Sequence, residues 1–121
     1  MGKFVVTEAV GGYKFSLKAA NGEVIATSEV YTSKQACLHG IESVKKNCNV
    51  DTEDLTVSSA EALKHPKYVI FNDKAGEFRF HLKASNGEII AASEGYTAKV
   101  NCKNGIESIK KNAPDAEIVD G

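Results

Sequence analysis

The sequence contains no tryptophan, one methionine, two prolines and three cysteines in 121 residues. The cysteines (Cys37, Cys48 and Cys102) are odd in number and show no CxxC spacing, which favours reduced thiols over a disulfide framework. Neither charge dominates, because 15 Lys and Arg residues stand against 16 Asp and Glu residues, for a net charge of −1. This balance excludes the strongly basic composition of a chain that coats nucleic acid.

Long apolar runs are absent as well. No stretch reaches the roughly 18 residues that a membrane-spanning helix requires, and the start "MGKFVVTEAVGG" lacks the apolar core of a secretory signal. We therefore predict a cytoplasmic protein without a membrane partner. The motifs GxGxxG, P-loop, HExxH and GxSxG do not occur, so we assign no catalytic residue and expect no cofactor.

What the sequence does contain is an internal repeat. Residues 13–47 align without a gap to residues 78–112, with about 22 identities in about 35 positions. The agreement is closest where "GIESVKKN" recurs as "GIESIKKN". The chain is thus two copies of one unit, repeat 1 (about residues 1–57) and repeat 2 (about residues 66–121), joined by a short connector over residues 58–65.

Each copy opens with the pattern of β-strands. In "YKFSLKA" and "FRFHLKA" apolar and polar residues alternate, as they do in a strand with one buried face. The dipeptides Asn21-Gly22 and Asn86-Gly87 follow and predict type I′ hairpin turns. Together with the segments "KFVV" and "KYVI" upstream, each copy is predicted to begin as a three-stranded antiparallel meander.

The hydrophobic period then changes to that of a helix. Apolar residues recur at i, i+4 and i+7 in both copies, which predicts an amphipathic helix. Thr32 and Thr97 are the expected N-caps, with Gln35 completing a capping box in the first copy. A short apolar segment after each helix, Asp54–Val57 in the first copy and Glu117–Asp120 in the second, predicts a last strand. The connector is expected to form one helical turn capped by Ser58 or Ser59. The apolar stripes are Cys37, Ile41 and Val44, and Cys102, Ile106 and Ile109.

These elements give an α+β fold with two tandem β3-α-β repeats. One repeat of about 55 residues buries little apolar surface alone, so we predict that the two meanders join into one antiparallel folded sheet. Both helices pack against this sheet with pseudo-twofold symmetry. The chain is expected to be a single domain over residues 1–121 and a monomer with an internal pseudo-dimer.

The repeated pattern "F.L.A.NGE.I..SE.YT.K.....GIES.KKN" resembles the YegP-like family of small bacterial proteins of uncharacterised function. It is carried by residues 15–47 and by their counterparts in the second copy. The resemblance implies a single folded sheet against two helices, formed either by tandem copies in one chain or by two one-copy subunits. It implies no known activity.

The segments "SEVYTSK" and "SEGYTAK" occupy the two strand-to-helix corners. Each brings a hydroxyl, a carboxylate, a phenol and an ammonium group to a helix N-terminus, where free N–H groups attract anions. The alternative is structural, with the threonines capping, the tyrosines packing at the helix entry and the charges solvated. If the corners form a pocket, its binding residues are Ser28, Glu29, Tyr31, Lys34, Ser93, Glu94, Tyr96 and Lys99.

A second candidate is the polar face of the strands, where Lys14, Lys18, Arg79 and Lys83 point the same way. Such a basic face attracts phosphate or RNA, but the aromatic residues needed for base stacking are missing, which disfavours nucleic acid as a partner. A solvated strand face is the structural interpretation.

We predict no metal site. Cys37 and His39, two residues apart on a helix, point about 200° from each other and cannot share an ion. The other histidines, His65 and His81, have no matching residue in the other copy.

The first functional hypothesis is therefore a non-enzymatic binding or interaction module for a small anion, a peptide or a protein partner. The alternatives are a small enzyme that uses Glu29 or Glu94 as a base, with Tyr and Lys as donors, and weak nucleic-acid binding by the basic face.

Overall fold

A computed structural model describes residues 2–58 and 61–121. In these residues each repeat forms three strands, a helix and a final strand, the predicted order of elements. The final strand of repeat 1 lies at Thr52–Asp54, however, and not at the predicted Asp54–Val57, because Asp54 accepts hydrogen bonds from Thr56 in a turn that ends the strand. The elements of repeat 1 are β1 (Lys3–Ala9), β2 (Gly12–Lys18), β3 (Val24–Thr27), α1 (Lys34–Asn47) and β4 (Thr52–Asp54). Those of repeat 2 are β5 (Lys67–Asn72), β6 (Phe78–Lys83), β7 (Ile89–Ala92), α2 (Lys99–Asn112) and β8 (Glu117–Asp120).

The two Asn-Gly turns connect β2 to β3 and β6 to β7. Only the glycines have positive φ, 86° at Gly22 and 84° at Gly87, so the predicted type I′ geometry is wrong. The side chain of Asn21 accepts a hydrogen bond from the Glu23 amide (3.0 Å), and Asn86 does the same for Glu88 (3.0 Å). This local bond stabilises a wider loop in which only the glycine is left-handed.

The helices start later than the sequence predicted. Ser33 is the N-cap of α1 and accepts a hydrogen bond from the Ala36 amide (3.1 Å), whereas Ala98, the N-cap residue of α2, provides no side-chain cap. Thr32 and Thr97 therefore do not cap, and the capping box with Gln35 does not form. The reason is that Tyr31 still pairs with β2 through two backbone bonds to Tyr13 (2.7 and 2.8 Å), which keeps the corner extended.

All eight strands form one sheet in the order β4-β5-β6-β7-β3-β2-β1-β8. The repeats meet at the centre, where Thr27 of β3 pairs with Ala92 of β7. The last strand of each repeat lies beside the first strand of the other repeat, since β4 pairs with β5 and β8 pairs with β1. We call this arrangement the strand exchange.

The strand exchange makes the sheet mixed. Its interior is antiparallel as predicted, but the two edge pairs are parallel, so the prediction of a wholly antiparallel sheet is wrong there. The end of α1 lies beside the start of β5, where the Tyr68 hydroxyl donates a hydrogen bond to the Cys48 carbonyl (2.7 Å). The chain leaving the helix therefore runs alongside β5 in the same direction.

Both helices lie on one face of the sheet, and the buried residues of the two repeats form one hydrophobic cluster. Each helix packs across the boundary between repeats, because α1 contacts β2 and β7 while α2 contacts β6 and β3. The predicted helical stripes are confirmed. Their buried members are Cys37, Ile41, Val44, Cys102, Ile106 and Ile109.

The connector is held to the sheet by a buried carboxylate. Glu53 of β4 is 8% exposed and accepts hydrogen bonds from the Leu63 amide (2.7 Å) and the Lys67 ammonium (2.6 Å). No helical turn occurs in residues 61–66, contrary to prediction. Ser59, one of the two predicted caps of that turn, lies outside the described residues.

Candidate functional site

The hydroxyl groups of the corner serines form hydrogen bonds with the backbone. The Ser28 hydroxyl accepts a hydrogen bond from the Phe15 amide (2.9 Å) and donates one to the Glu29 carbonyl (2.7 Å). Ser93 makes the same two contacts, with the Phe80 amide (2.9 Å) and the Glu94 carbonyl (2.8 Å). These hydroxyl groups therefore extend the hydrogen bonding of each corner past the end of the strand.

The corner tyrosines pack under the helices. The ring of Tyr31 stacks on Phe15 with 6.3 Å between centroids, and its hydroxyl lies against Gly40 of α1. Tyr96 takes the equivalent position against Gly105 of α2. Burial raises the pKa of both phenols, so they stay protonated and able to donate at neutral pH.

The corner lysines are engaged by carboxylates of the opposite repeat. Lys34 pairs with Asp120 of β8, and Lys99 pairs with Asp54 of β4, each at 2.9 Å. The Lys99 pair is the more buried, with side chains 27% and 18% exposed against 48% and 73% in the other pair. Both pairs join a helix to a strand that the strand exchange brings beside it. An anion at either corner would have to compete with an existing carboxylate.

The buried pair predicts a pH dependence of stability. Burial raises the pKa of Asp54, but hydrogen bonds from Thr56 and Lys99 outweigh this and hold the pKa below its usual value. A carboxyl group with a lowered pKa stabilises the fold above its unfolded pKa, and this contribution is lost as the pH falls below about 4. Asp54→Asn should lower the free energy of unfolding at pH 7 by about 0.5–1 kcal/mol.

Urea unfolding at pH 7 and pH 3 checks this prediction, since the Asp54→Asn variant should lose less stability on acidification than the unmodified chain. Asp120→Asn is the matched control, because its exposed pair should contribute less. Equal losses in both variants at pH 7 would contradict the assignment.

The corner carboxylates, Glu29 and Glu94, are exposed to solvent. A general base works best in a cleft that shields it from water. The corners thus combine hydroxyls bound to the backbone, ammonium groups already paired and carboxylates in water.

The basic face lies on the side of the sheet away from the helices. The strand registers place Ser16 and His81 in one row across the sheet, with Lys14 and Lys18 flanking the first and Arg79 and Lys83 flanking the second. Carboxylates share this face, since Asp73 binds Arg79 (2.7 Å) and Glu117 lies opposite Lys3. Its charge is therefore mixed.

The thiols and imidazoles show no convergence. Within residues 2–58 and 61–121 there is no group of three or more His, Cys, Asp or Glu side chains arranged to hold a metal ion. All three cysteines are free and buried, and burial raises the pKa of each thiol, to about 11 for Cys102. Thiols in such surroundings are poor nucleophiles.

Two concave surfaces between the repeats were not predicted from the sequence. A trough of about 670 Å³, which we call trough A, lies between the β2–β3 turn of repeat 1 and helix α2 of repeat 2. A second trough of about 400 Å³, trough B, lies between the β6–β7 turn of repeat 2 and helix α1 of repeat 1. Each trough is thus built from both repeats.

The two troughs are lined by corresponding residues. In trough A these include Ala19, Asn21, Glu107, Ser108, Lys111 and Asn112. In trough B they include Ala84, Asn86, Glu42, Ser43, Lys46 and Asn47. The helical asparagine is fixed in both, since Asn112 donates to the Ser108 carbonyl (2.8 Å) and Asn47 donates to the Ser43 carbonyl (2.9 Å).

A signal for these troughs is present in the sequence. The repeated "GIES(V/I)KKN" keeps its polar Glu, Ser, Lys and Asn residues as strictly as its apolar ones. Core packing explains only the apolar positions of this motif. The exposed Glu and the second, exposed Lys of the motif line the troughs together with its more buried Ser and Asn residues.

Comparison with known proteins places the chain in a family. The family described as "Domain of unknown function (DUF1508)" matches residues 9–54 and residues 73–120, one match per repeat. The "UPF0339 protein in ptx operon 5'region" of Stutzerimonas stutzeri is 36% identical over 116 residues, covering 96% of this chain and 92% of that protein. A UPF0339 protein of Agrobacterium fabrum is 65% identical over 54 residues, which cover 45% of this chain and 87% of that shorter protein.

The solved structures agree with this placement. The solution NMR structure of "protein of unknown function yegP from E. coli" superposes with a TM-score of 0.81 at 33% identity, covering 99% of this chain and 92% of that one. In the described residues, no helix is both long enough and apolar enough to cross a membrane. The chain therefore belongs to the DUF1508 family, in which YegP and the other UPF0339 proteins are its relatives.

Proposed function

We propose that this protein is a non-enzymatic module that binds an extended peptide segment in troughs A and B. The observation that carries the proposal is the agreement between the troughs, which present the same carboxylate, hydroxyl, ammonium and amide groups in the same order. Of the matched residues, the two glutamates and the two lysines are exposed, so core packing does not require their identity. Their double occurrence on concave surfaces supports a shared binding role.

The shape of trough A favours an elongated ligand. A further cavity of about 380 Å³ shares Asn104 and Ser108 with trough A and reaches Asn101 near the start of α2. Together the two cavities follow α2 from Asn101 to Asn112, about 17 Å of helix, which matches about five residues of extended peptide.

The chemistry of the lining suits a peptide of mixed charge. Among the described residues Lys111 and Glu42 have no ion-pair partner within 4.0 Å, so their charges are available to a ligand. Asparagine side chains offer donors and acceptors to a peptide backbone. The corner lysines, by contrast, are already paired, which makes a small anion at the corners the less supported ligand.

NMR titration of ¹⁵N-labelled protein with a pool of blocked hexapeptides tests the proposal. Peptides should shift amide signals of the β2–β3 turn and α2, and of the β6–β7 turn and α1. Asn104→Trp should fill trough A and remove only its shifts, because residue 104 is exposed in the trough floor.

Lys103→Trp is the matched control, since Lys103 is exposed on the same helix but is not among the trough residues. It should leave both sets of shifts unchanged. If no peptide in the pool shifts signals in either trough, the proposed function is wrong.

A further inference from the structure

The end of trough A nearest the corner has a distinct composition. The cavity of about 380 Å³ is lined there by Glu23 of the β2–β3 turn and by Tyr96, Asn101 and Gly105 of repeat 2. A carboxylate, a phenol and a carboxamide from opposite repeats therefore converge on one space.

The carboxylate in this cavity has no cationic partner. Among residues 2–58 and 61–121, no lysine or arginine lies within ion-pair distance of Glu23, which is exposed to solvent. The corner lysine of the same repeat as Tyr96 is turned towards Asp54 instead. The negative charge is thus available to a ligand.

The phenol is held in place by the helix above it. Tyr96 is half-buried, and an added methyl group at Gly105 would lie only 2.8 Å from its Oη atom. Because Tyr96 lines the cavity, its hydroxyl oxygen can accept a hydrogen bond from a ligand there.

Repeat symmetry relates this pair to Tyr31 and Glu88. Burial is the main cause of the raised pKa of the Tyr31 phenol, and Cys37, Glu29 and Glu88 add to it in that order. The carboxamide has no counterpart in repeat 1, however, because Ala36 stands where α2 has Asn101. Two acidic-aromatic pairs thus exist, and the one in trough A is the more complete.

We propose that the Tyr96–Glu23 pair, assisted by Asn101, is a site for a primary ammonium group, and that the ligand presents it as a lysine side chain. This inference rests on the proposed peptide binding, since it assigns one end of the trough to a cationic residue. An ammonium group has three donors for the carboxylate, the phenol oxygen and the carboxamide oxygen. An aromatic ring beside a carboxylate favours a cation over a neutral group.

The test compares two blocked tripeptides, Ac-Gly-Lys-Gly-amide and Ac-Gly-norleucine-Gly-amide, which differ only by the ammonium group. In ¹⁵N NMR titrations the lysine peptide should shift the signals of Glu23, Tyr96, Asn101 and Gly105, and should bind at least about tenfold more tightly than the norleucine peptide. Added salt should weaken this preference.

Glu23→Gln keeps the size of the side chain and removes the charge, so it should abolish the preference for lysine. Glu8→Gln, at an exposed carboxylate outside both troughs, should not change it. If both tripeptides shift trough A equally, or if Glu23→Gln retains the preference, the ammonium site is wrong while the peptide trough stands. If neither tripeptide nor the hexapeptide pool shifts either trough, the proposed function is wrong as well.

Discussion

A fragment of residues 1–60 is expected to fail as a stable monomer. Cutting the chain removes three strand pairings, because β4 pairs with β5, β1 pairs with β8 and β3 pairs with β7 of the other repeat. Helix α1 would also lose its contacts with β7. The fragment would keep only the meander and an incompletely covered helix.

The energetic reason is the shared core. A chain of about 60 residues buries only about 60% of its unfolded surface even when its core is complete. Here the buried residues of both repeats contribute to one cluster, so each fragment would expose side chains that are fully buried in the whole protein. Among them are Phe15 and Ile41 in repeat 1, and Phe80 and Ile109 in repeat 2.

Three samples check the expectation by light scattering and thermal melting: residues 1–60, residues 66–121 and an equimolar mixture. Each fragment alone should be unfolded or dimeric, and the mixture should regain a cooperative transition, with the intact chain as the reference. The half-length Agrobacterium fabrum relative faces the same deficit and should pair with a second copy. A cooperatively melting monomer of residues 1–60 would contradict the prediction.

Local structure was largely predictable because it depends on short-range patterns. Alternation gave the meander strands, and the i, i+4, i+7 spacing gave the two helices with their buried cysteines and isoleucines. The repeat itself implied one sheet with both helices on one face. The helix starts were missed because a backbone pairing between Tyr13 and Tyr31, distant in sequence, overrides the capping preference of Thr32.

The strand exchange had no local signal. The segments that became β4 and β8 are three and four residues long, and nothing in them specifies which repeat they join or in which direction. Their placement follows from where each helix ends, which is a property of the whole fold.

The troughs were missed for the same reason. Their walls come from a turn of one repeat and a helix of the other, so no contiguous motif contains a site. Of the residues proposed at the corners, Tyr96 lines the cavity that continues trough A. The polar residues of the repeated "GIES(V/I)KKN" are visible in the sequence, but an amphipathic helix with a packed apolar face also explains them.

The glycines of that motif should not tolerate alanine. In an exposed helix, Gly→Ala stabilises by about 1 kcal/mol because alanine is the better helix former. At Gly105 the added methyl group would lie 2.8 Å from Tyr96 Oη and 3.0 Å from Phe80, closer than unstrained packing allows. At Gly40 it would meet the Tyr31 hydroxyl and lie 2.7 Å from the ring carbon Cζ. Overpacking of this kind lowers the free energy of unfolding by about 1–3 kcal/mol.

Denaturant unfolding of Gly40→Ala and Gly105→Ala therefore tests both the sign and the size of the change in the free energy of unfolding. Lys103→Ala, at an exposed position of α2, is the matched control and should change stability little. Adding Tyr96→Phe to Gly105→Ala removes the nearest contact and should restore part of the loss. Tyr31→Phe should restore less of the stability lost in Gly40→Ala, because the ring carbon Cζ would still contact the added methyl group. If either alanine variant is more stable than the unmodified chain, the tyrosines do not pack against the helices as the contacts indicate. The inference that the Tyr96 phenol is fixed at the end of trough A would then lose its support.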